Sequence, residues 1–199
     1  DQPWAIFLDS GYPQSQQGRY DILAAEPVCT LLTHGQKTTL SKNGTVIVSE
    51  ADPFLLLKQE LSLTPLPPLD DLPFNGGALG YFSYDLARRL EKLPAIAVDA
   101  EHIAEMAVGI YEWAMIVDHE TQQSWLVGVN TISEQRWQNL IATFSRSTNL
   151  GLYSQREDFQ VLTTPKSNMN AEKYTQAFNR IKYYLKEGDC YQVNLTQRI

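Results

Sequence analysis

No apolar run in this sequence approaches the length of a membrane span, and no cluster of lysines and arginines interrupts it. With a formal net charge of −7, the average field repels nucleic acid and anionic membrane, so both are set aside as partners. Only two cysteines occur, Cys29 and Cys190, far apart and without a CxxC pattern. They read as two buried free thiols in a reducing cytoplasm. The three histidines, His34, His102 and His119, share no metal-ligand spacing, which argues against a zinc site. Phosphate-binding loops are missing too. Gly76, Gly77 and Gly80 sit in FNGGALGYFSYDLARRLE, but neither GxGxxG nor GxxxxGK[ST] can be laid over them.

What is present is a globular composition, 43% hydrophobic and 20% charged. WAIFL (4–8) predicts a short buried strand ending at the Asp9-Ser10-Gly11 turn. YDILAAEPVCTLLTHG predicts two strands broken at Pro27, and Asn43-Gly44 in LSKNGTVIVS is a hairpin signal. Asp52-Pro53 opens a helix through FLLLKQEL, and the Pro-rich stretch after it reads as a linker or crossing segment. Gly76-Gly77 supplies a bend, and Gly80 allows close approach of a neighbouring strand. Tyr81, Phe82 and Tyr84 are then sheet-face residues, with Asp85 capping a short helix LARRLEKL closed by Pro94.

MAVGIYEWAMIVDHETQQSWLVGV reads as two strands joined by a polar turn at 119–123. Ser133 caps a helix that carries Trp137, Leu140, Ile141 and Phe144 on one face. The final helix has Asn170 as N-cap, Tyr174, Phe178, Ile181 and Leu185 at helical steps, and Gly188 as left-handed C-cap. DCYQVNLTQRI alternates as a strand. This order predicts an α+β fold with antiparallel sheets and packed helices, not a doubly wound parallel one.

Other clusters carry little chemistry. Glu101, His102 and Glu105 share a helical spacing and read as a solvated polar face. Adjacent carboxylates at Asp70-Asp71 fit a loop or cap. Arg88, Arg89 and Glu91 form a charged face, Tyr183-Tyr184 a half-buried one, and Cys190 a packed thiol.

LPFNGGALGYFSYDLARRLEKLP resembles the hallmark segment of the large subunits of chorismate-utilising enzymes, the anthranilate and aminodeoxychorismate synthases. WAIFLDSGY, RYDILAAEP, EMAVGIYEWAMIVDHE and YLKEGDCYQVNLTQR follow in the expected order, so the resemblance spans essentially the whole chain. RYDILAAEPVCTLLTHG and AVGIYEWAMIVDH are most similar to the folate-branch component I, with the anthranilate branch as the alternative.

The resemblance implies the amination of chorismate to 4-amino-4-deoxychorismate, ammonia from a glutamine amidotransferase subunit, and Mg²⁺ on the chorismate carboxylate. It places every catalytic and metal-ligating residue after the YQVNLTQR segment, so this chain is expected to hold none of them and to be inactive alone. Residues 1–165 correspond to the N-terminal region and 166–199 to the start of the chorismate-binding region. Both ends look cut, and the final strand is expected to lack its neighbours and to self-associate or stay disordered.

The resemblance also implies a tryptophan pocket lined in part by Ser10, Gln17, Gly18, Arg19 and Tyr20. Gln17 and Gly18 depart from the family's aromatic-Ser-Arg-aromatic run, and a Pro-Phe-Ser-like wall lies outside the chain. Read without the resemblance, the same residues are a strand-end turn and a solvated loop. A free-standing tryptophan-binding regulatory module is the reading from a different class.

Overall fold

The computed structural model describes residues 2–15, 17–64, 71–96, 98–99, 101–146 and 160–199. The chain divides into two compact units, residues 1–146 and 147–199.

The first unit holds two antiparallel sheets. The four-stranded sheet runs β1-β2-β8-β9, from β1 (Ile6–Leu8), β2 (Tyr20–Ala24), β8 (Trp113–Asp118) and β9 (Gln123–Gly128). The five-stranded sheet runs β5-β4-β3-β7-β6, from β3 (Cys29–His34), β4 (Lys37–Lys42), β5 (Thr45–Ser49), β6 (Gly77–Phe82) and β7 (Met106–Tyr111). This is the antiparallel α+β architecture that the pattern predicts. β4 and β5 are joined at Asn43-Gly44, both in the left-handed region (φ 51° and 74°), as a two-residue hairpin requires.

Helix α1 (Pro53–Ser62) starts where expected, with the Asp52 carboxylate accepting from the Phe54 amide at 2.8 Å. Its Leu56, Leu57 and Leu61 close the main core over Leu31, Leu40, Met106, Val108 and Ile110. An ion pair of 2.7 Å between Lys42 and Glu60 ties the helix to β4. Gly80 lies on β6 opposite Val108 of β7. A Cβ there would collide with the Ala107 carbonyl oxygen on β7, so β6 can lie against β7 only with glycine at that position. Helix α2 (Glu134–Ser145), capped by Ser133, lays Trp137, Leu140 and Phe144 over Trp113 of the four-stranded sheet.

Five expectations need correction. β1 covers only Ile6–Leu8, and Phe7 and Leu8 are exposed, because it is a sheet edge rather than a buried strand. The run 106–128 forms three strands, not two. The break falls at Glu112, the one charged residue within 106–117, where the chain leaves one sheet for the other, and a single charge without glycine or proline beside it is a weak boundary signal. Residues 84–89 form a 3₁₀ turn. Ser83 occupies its cap position without a side-chain bond, Asp85 pairs with Arg88, and Tyr84 lies beyond the strand, fully in solvent. Residues 101–105 are not helical. Glu105 instead accepts the Gly35 amide at 3.0 Å, so its carboxylate is committed to a turn. Asp70 of the paired carboxylates lies outside the described residues.

In the second unit, α3 (Ala171–Glu187) begins with Asn170 Oδ1 accepting from the Lys173 amide and ends at Gly188 (φ 80°). Residues 191–199 form no strand, which is the fifth correction. They return along the helix, where Asn168 and Arg198 exchange two hydrogen bonds of 2.9 and 3.0 Å. A lone alternating segment has no ladder to satisfy its amides, so its periodicity alone cannot make it a strand. Of the tyrosine pair, Tyr183 is exposed and Tyr184 half-buried.

Candidate functional site

The site grows from the end of β1, the loop 9–19, the start of β2 and the end of β8. Antiparallel register sets Tyr20 opposite Asp118, and the His119 amide donating to the Arg19 carbonyl (2.9 Å) carries the pairing one residue further. Asp21 is thereby brought beside the loop. Its Oδ1 accepts the Ser10 amide at 2.8 Å, and its Oδ2 lies 2.8 Å from His119 Nε2. The Tyr12 ring stacks on His119, 4.4 Å between centroids and 11° from parallel.

A second cluster lies next to it. Arg19 grips Asp118 with Nε and Nη2 (2.8–3.2 Å) and reaches Glu120 with Nη1 at 2.8 Å, while its guanidinium lies over the Tyr20 ring. Asp118 is 2% exposed and also accepts the amides of Glu120 and Thr121. The Arg19 fork, aided by those amides, holds the Asp118 carboxyl well below the usual carboxylate range despite its burial, and Asp118 in turn raises Arg19. For Asp21, burial pushes the carboxyl up. The Ser10 amide and His119 outweigh it and leave the group below its ordinary value.

Two open depressions flank Arg19. One, of 510 Å³, is walled by Tyr12, Pro13, Ser15, Gln17, Gly18 and His119, with Arg19 and Glu120 at its rim. The other, of 720 Å³, is lined by Arg19, Tyr20, Leu72, Gln123, Trp125 and neighbouring polar groups. The five residues anticipated from sequence are therefore divided. Gln17, Gly18 and Arg19 share the first depression, Arg19 and Tyr20 the second, and Ser10 lines neither. The Ser10 hydroxyl is close enough to lower Asp21 a little further, yet it is buried without a partner in hydrogen-bonding geometry. Gly18 has its own reason to be glycine, since a Cβ would strike the Ser10 carbonyl.

Tyr12, Asp21, Asp118, His119 and Glu120 complete the arrangement, and sequence reasoning did not select them. Only the β2–β8 register brings RYD against DHE, and register is invisible without the fold. Chemically the site is suited to binding. Arg19 is saturated by two carboxylates and positions the loop, while Tyr12 and Gln17 on one side and Tyr20 and Trp125 on the other line open depressions of small-ligand size. Among the described residues, no group of three or more His, Cys, Asp or Glu side chains could hold a metal ion. None of the described helices is long and apolar enough to cross a membrane.

The model of the family of chorismate binding enzymes matches residues 5–199. The chain belongs to that family. It is 42% identical over 198 residues to "Aminodeoxychorismate synthase component 1" of Escherichia coli (strain K12), covering 98% of this chain and 42% of that protein. The protein of the same name from Klebsiella aerogenes is 44% identical over 199 residues, covering 99% and 42%. This chorismate-binding-family chain thus spans well under half the length of these curated relatives. Its fold matches that of anthranilate synthase component I from Streptococcus pneumoniae TIGR4, with a TM-score of 0.65 at 22% identity over 95% of this chain and 42% of that one.

Proposed function

We propose that this chain is the N-terminal portion of an aminodeoxychorismate synthase component 1. The whole subunit would convert chorismate and ammonia to 4-amino-4-deoxychorismate in the cytoplasm, with a glutamine amidotransferase subunit as the ammonia source. The observation that carries the reading is the 42–44% identity, sustained over nearly the entire chain, to two proteins of that name. Mg²⁺ would be held by ligands outside residues 1–199. The catalytic groups would lie there as well. The contribution of residues 1–199 is a sheet framework with a ligand site on its rim.

The test is product analysis. A gene product that contains these residues and extends to the relatives' length should aminate chorismate at ring position 4, and purified residues 1–199 should not. Anthranilate as the product would move the subunit to the tryptophan branch. Turnover by the 199-residue chain would overturn the assignment of the chemistry to the rest of the subunit.

A second reading concerns the loop 9–19, and the buried, unpartnered Ser10 hydroxyl favours it. A free amino acid, L-tryptophan in the first instance, would use that hydroxyl and the loop amides for its ammonium and carboxylate, and Tyr12 or Tyr20 for its ring. Calorimetric titration with L-tryptophan checks it. Heat that disappears in Ser10→Ala supports the site, and an equal titration in both chains refutes it.

A further inference from the structure

Strand β5 lies at the outer edge of the five-stranded sheet, and among the described residues nothing pairs with its free side. Natural sheets protect such an edge with lysine, proline or a bulge. TVIVS has none of these. Val46, Ile47 and Val48 stand 62%, 55% and 58% exposed, three apolar residues in succession.

The strand is also symmetric about its centre. Read from either end it runs hydroxyl, valine, isoleucine, valine, hydroxyl. Laid antiparallel against itself with Ile47 on the axis, it sets Thr45 opposite Ser49, Val46 opposite Val48 and Ile47 opposite Ile47. β-branched and hydroxyl pairs of this kind are the favourable cross-strand neighbours. The nearest charged residue, Glu50, would face Gly44, so no like charges meet.

Backbone parity is satisfied in the same register. A two-residue hairpin makes Lys42 and Thr45 its first hydrogen-bonded pair. Alternation then turns the backbone groups of Thr45, Ile47 and Ser49 toward β4 and those of Val46 and Val48 outward. In the symmetric pairing, Val46 of each copy meets Val48 of the other with outward N–H and C=O groups on both, and Ile47 falls at the close, non-hydrogen-bonded position. A slip by one residue would set outward groups against inward ones.

We propose that β5 is a docking strand for a second copy of this chain, paired antiparallel about a two-fold axis through Ile47 to give one continuous ten-stranded sheet. The interface is isologous, as a closed dimer requires. Five residues a side bury less than the roughly 1,200 Å² at which stable interfaces begin. The association is therefore at the weak, concentration-dependent end of protein contacts.

Sedimentation of the chain over a concentration series to about 1 mM tests it. The average mass should rise toward twice the monomer's. Val46→Pro removes an outward N–H at a place where a sheet edge accepts proline, so it should hold the chain at monomer mass, while Val46→Thr behaves as wild type. A wild-type chain that stays monomeric throughout overturns the proposal. So does a dimer that survives Val46→Pro, including one abolished by Leu195→Asp, which would put the contact at residues 191–199. If Val46→Pro fails to fold, amide exchange in the wild-type chain decides. Exchange at Val46 and Val48 should slow as the mass rises, and rising mass with unchanged exchange there refutes the pairing.

Discussion

The interior strands of the five-stranded sheet and helix α3 treat their apolar residues in opposite ways. Leu31, Met106, Val108 and Ile110 are at most 1% exposed, enclosed between strands and α1. No residue of α3 is buried, and its Tyr174, Phe178 and Leu185 stand 39–47% exposed beside a 700 Å³ groove shared with Val193 and Leu195. A helix can be fully specified by its own caps and periodicity and still draw little stability from burial. A sheet works the other way, with weak local signals and most of its stability from contacts distant in sequence.

That contrast can be broken most readily at the sheet. Leu31→Ala should cost about 3 kcal/mol of unfolding free energy through lost transfer energy and a residual cavity, measured by urea denaturation. If it costs no more than a surface change, the core assignment fails. Gly80→Ala follows, at about 1–3 kcal/mol, because β6 must move away from the Ala107 carbonyl. Thermal melts of the two variants should rank in that order.

At the caps the two regions should converge. Ser133→Ala on α2 and Asn170→Ala on α3 each remove one cap bond, worth about 1 kcal/mol of helix stability. The first should lower the melting temperature of the sheets that α2 packs on. The second should reduce only helical circular dichroism. Phe178→Ala should move the sheet transition least, by under about 0.5 kcal/mol.

The two thiols sharpen the comparison without any mutation. Burial in the sheet core pushes Cys29 up to about 11, whereas Cys190 is half-buried. A thiol reagent at neutral pH should label Cys190 at once and Cys29 only as the sheet opens. Equal rates would contradict the enclosed core.

Acid acts on the site side of the sheets. Asp21 and Asp118 sit below their ordinary values when folded. Their stabilisation is complete above the unfolded carboxyl value of about 4 and is lost as pH falls further through the folded values. Acid unfolding of Asp118→Asn should lack that part of the pH slope, as a pH series of denaturant melts would show.

These regions also differ in how readily sequence betrays them. The caps of α1, α2 and α3, the hairpin at Asn43-Gly44 and the role of Gly80 follow from residues a few positions apart. The break at Glu112 does not, because one glutamate between two apolar strands, with no glycine or proline beside it, does not by itself signal a change of sheet. β1 and residues 191–199 show the reverse error. Their patterns are strand-like, but burial and pairing depend on neighbours that pattern cannot supply. The site divides the same way. Ser10 and Gln17 to Tyr20 were reachable through resemblance. Asp21, Asp118 and His119 join them only through the pairing of strands almost a hundred residues apart.

The crossing at Glu112 has a consequence for how the chain is made. β7 and β8, on either side of it, are interior strands of the two sheets. Until both have emerged from the ribosome, only the hairpin β1–β2 and the meander β3–β4–β5 can exist, each with an open flank. At about 5–20 residues per second, the nascent chain spends several seconds in that condition before one short stretch, residues 106–118, supplies the middle of both sheets at once. Through that interval the unpaired flanks of β2 and β3 are open to other chains, a hazard that the finished sheets no longer present there.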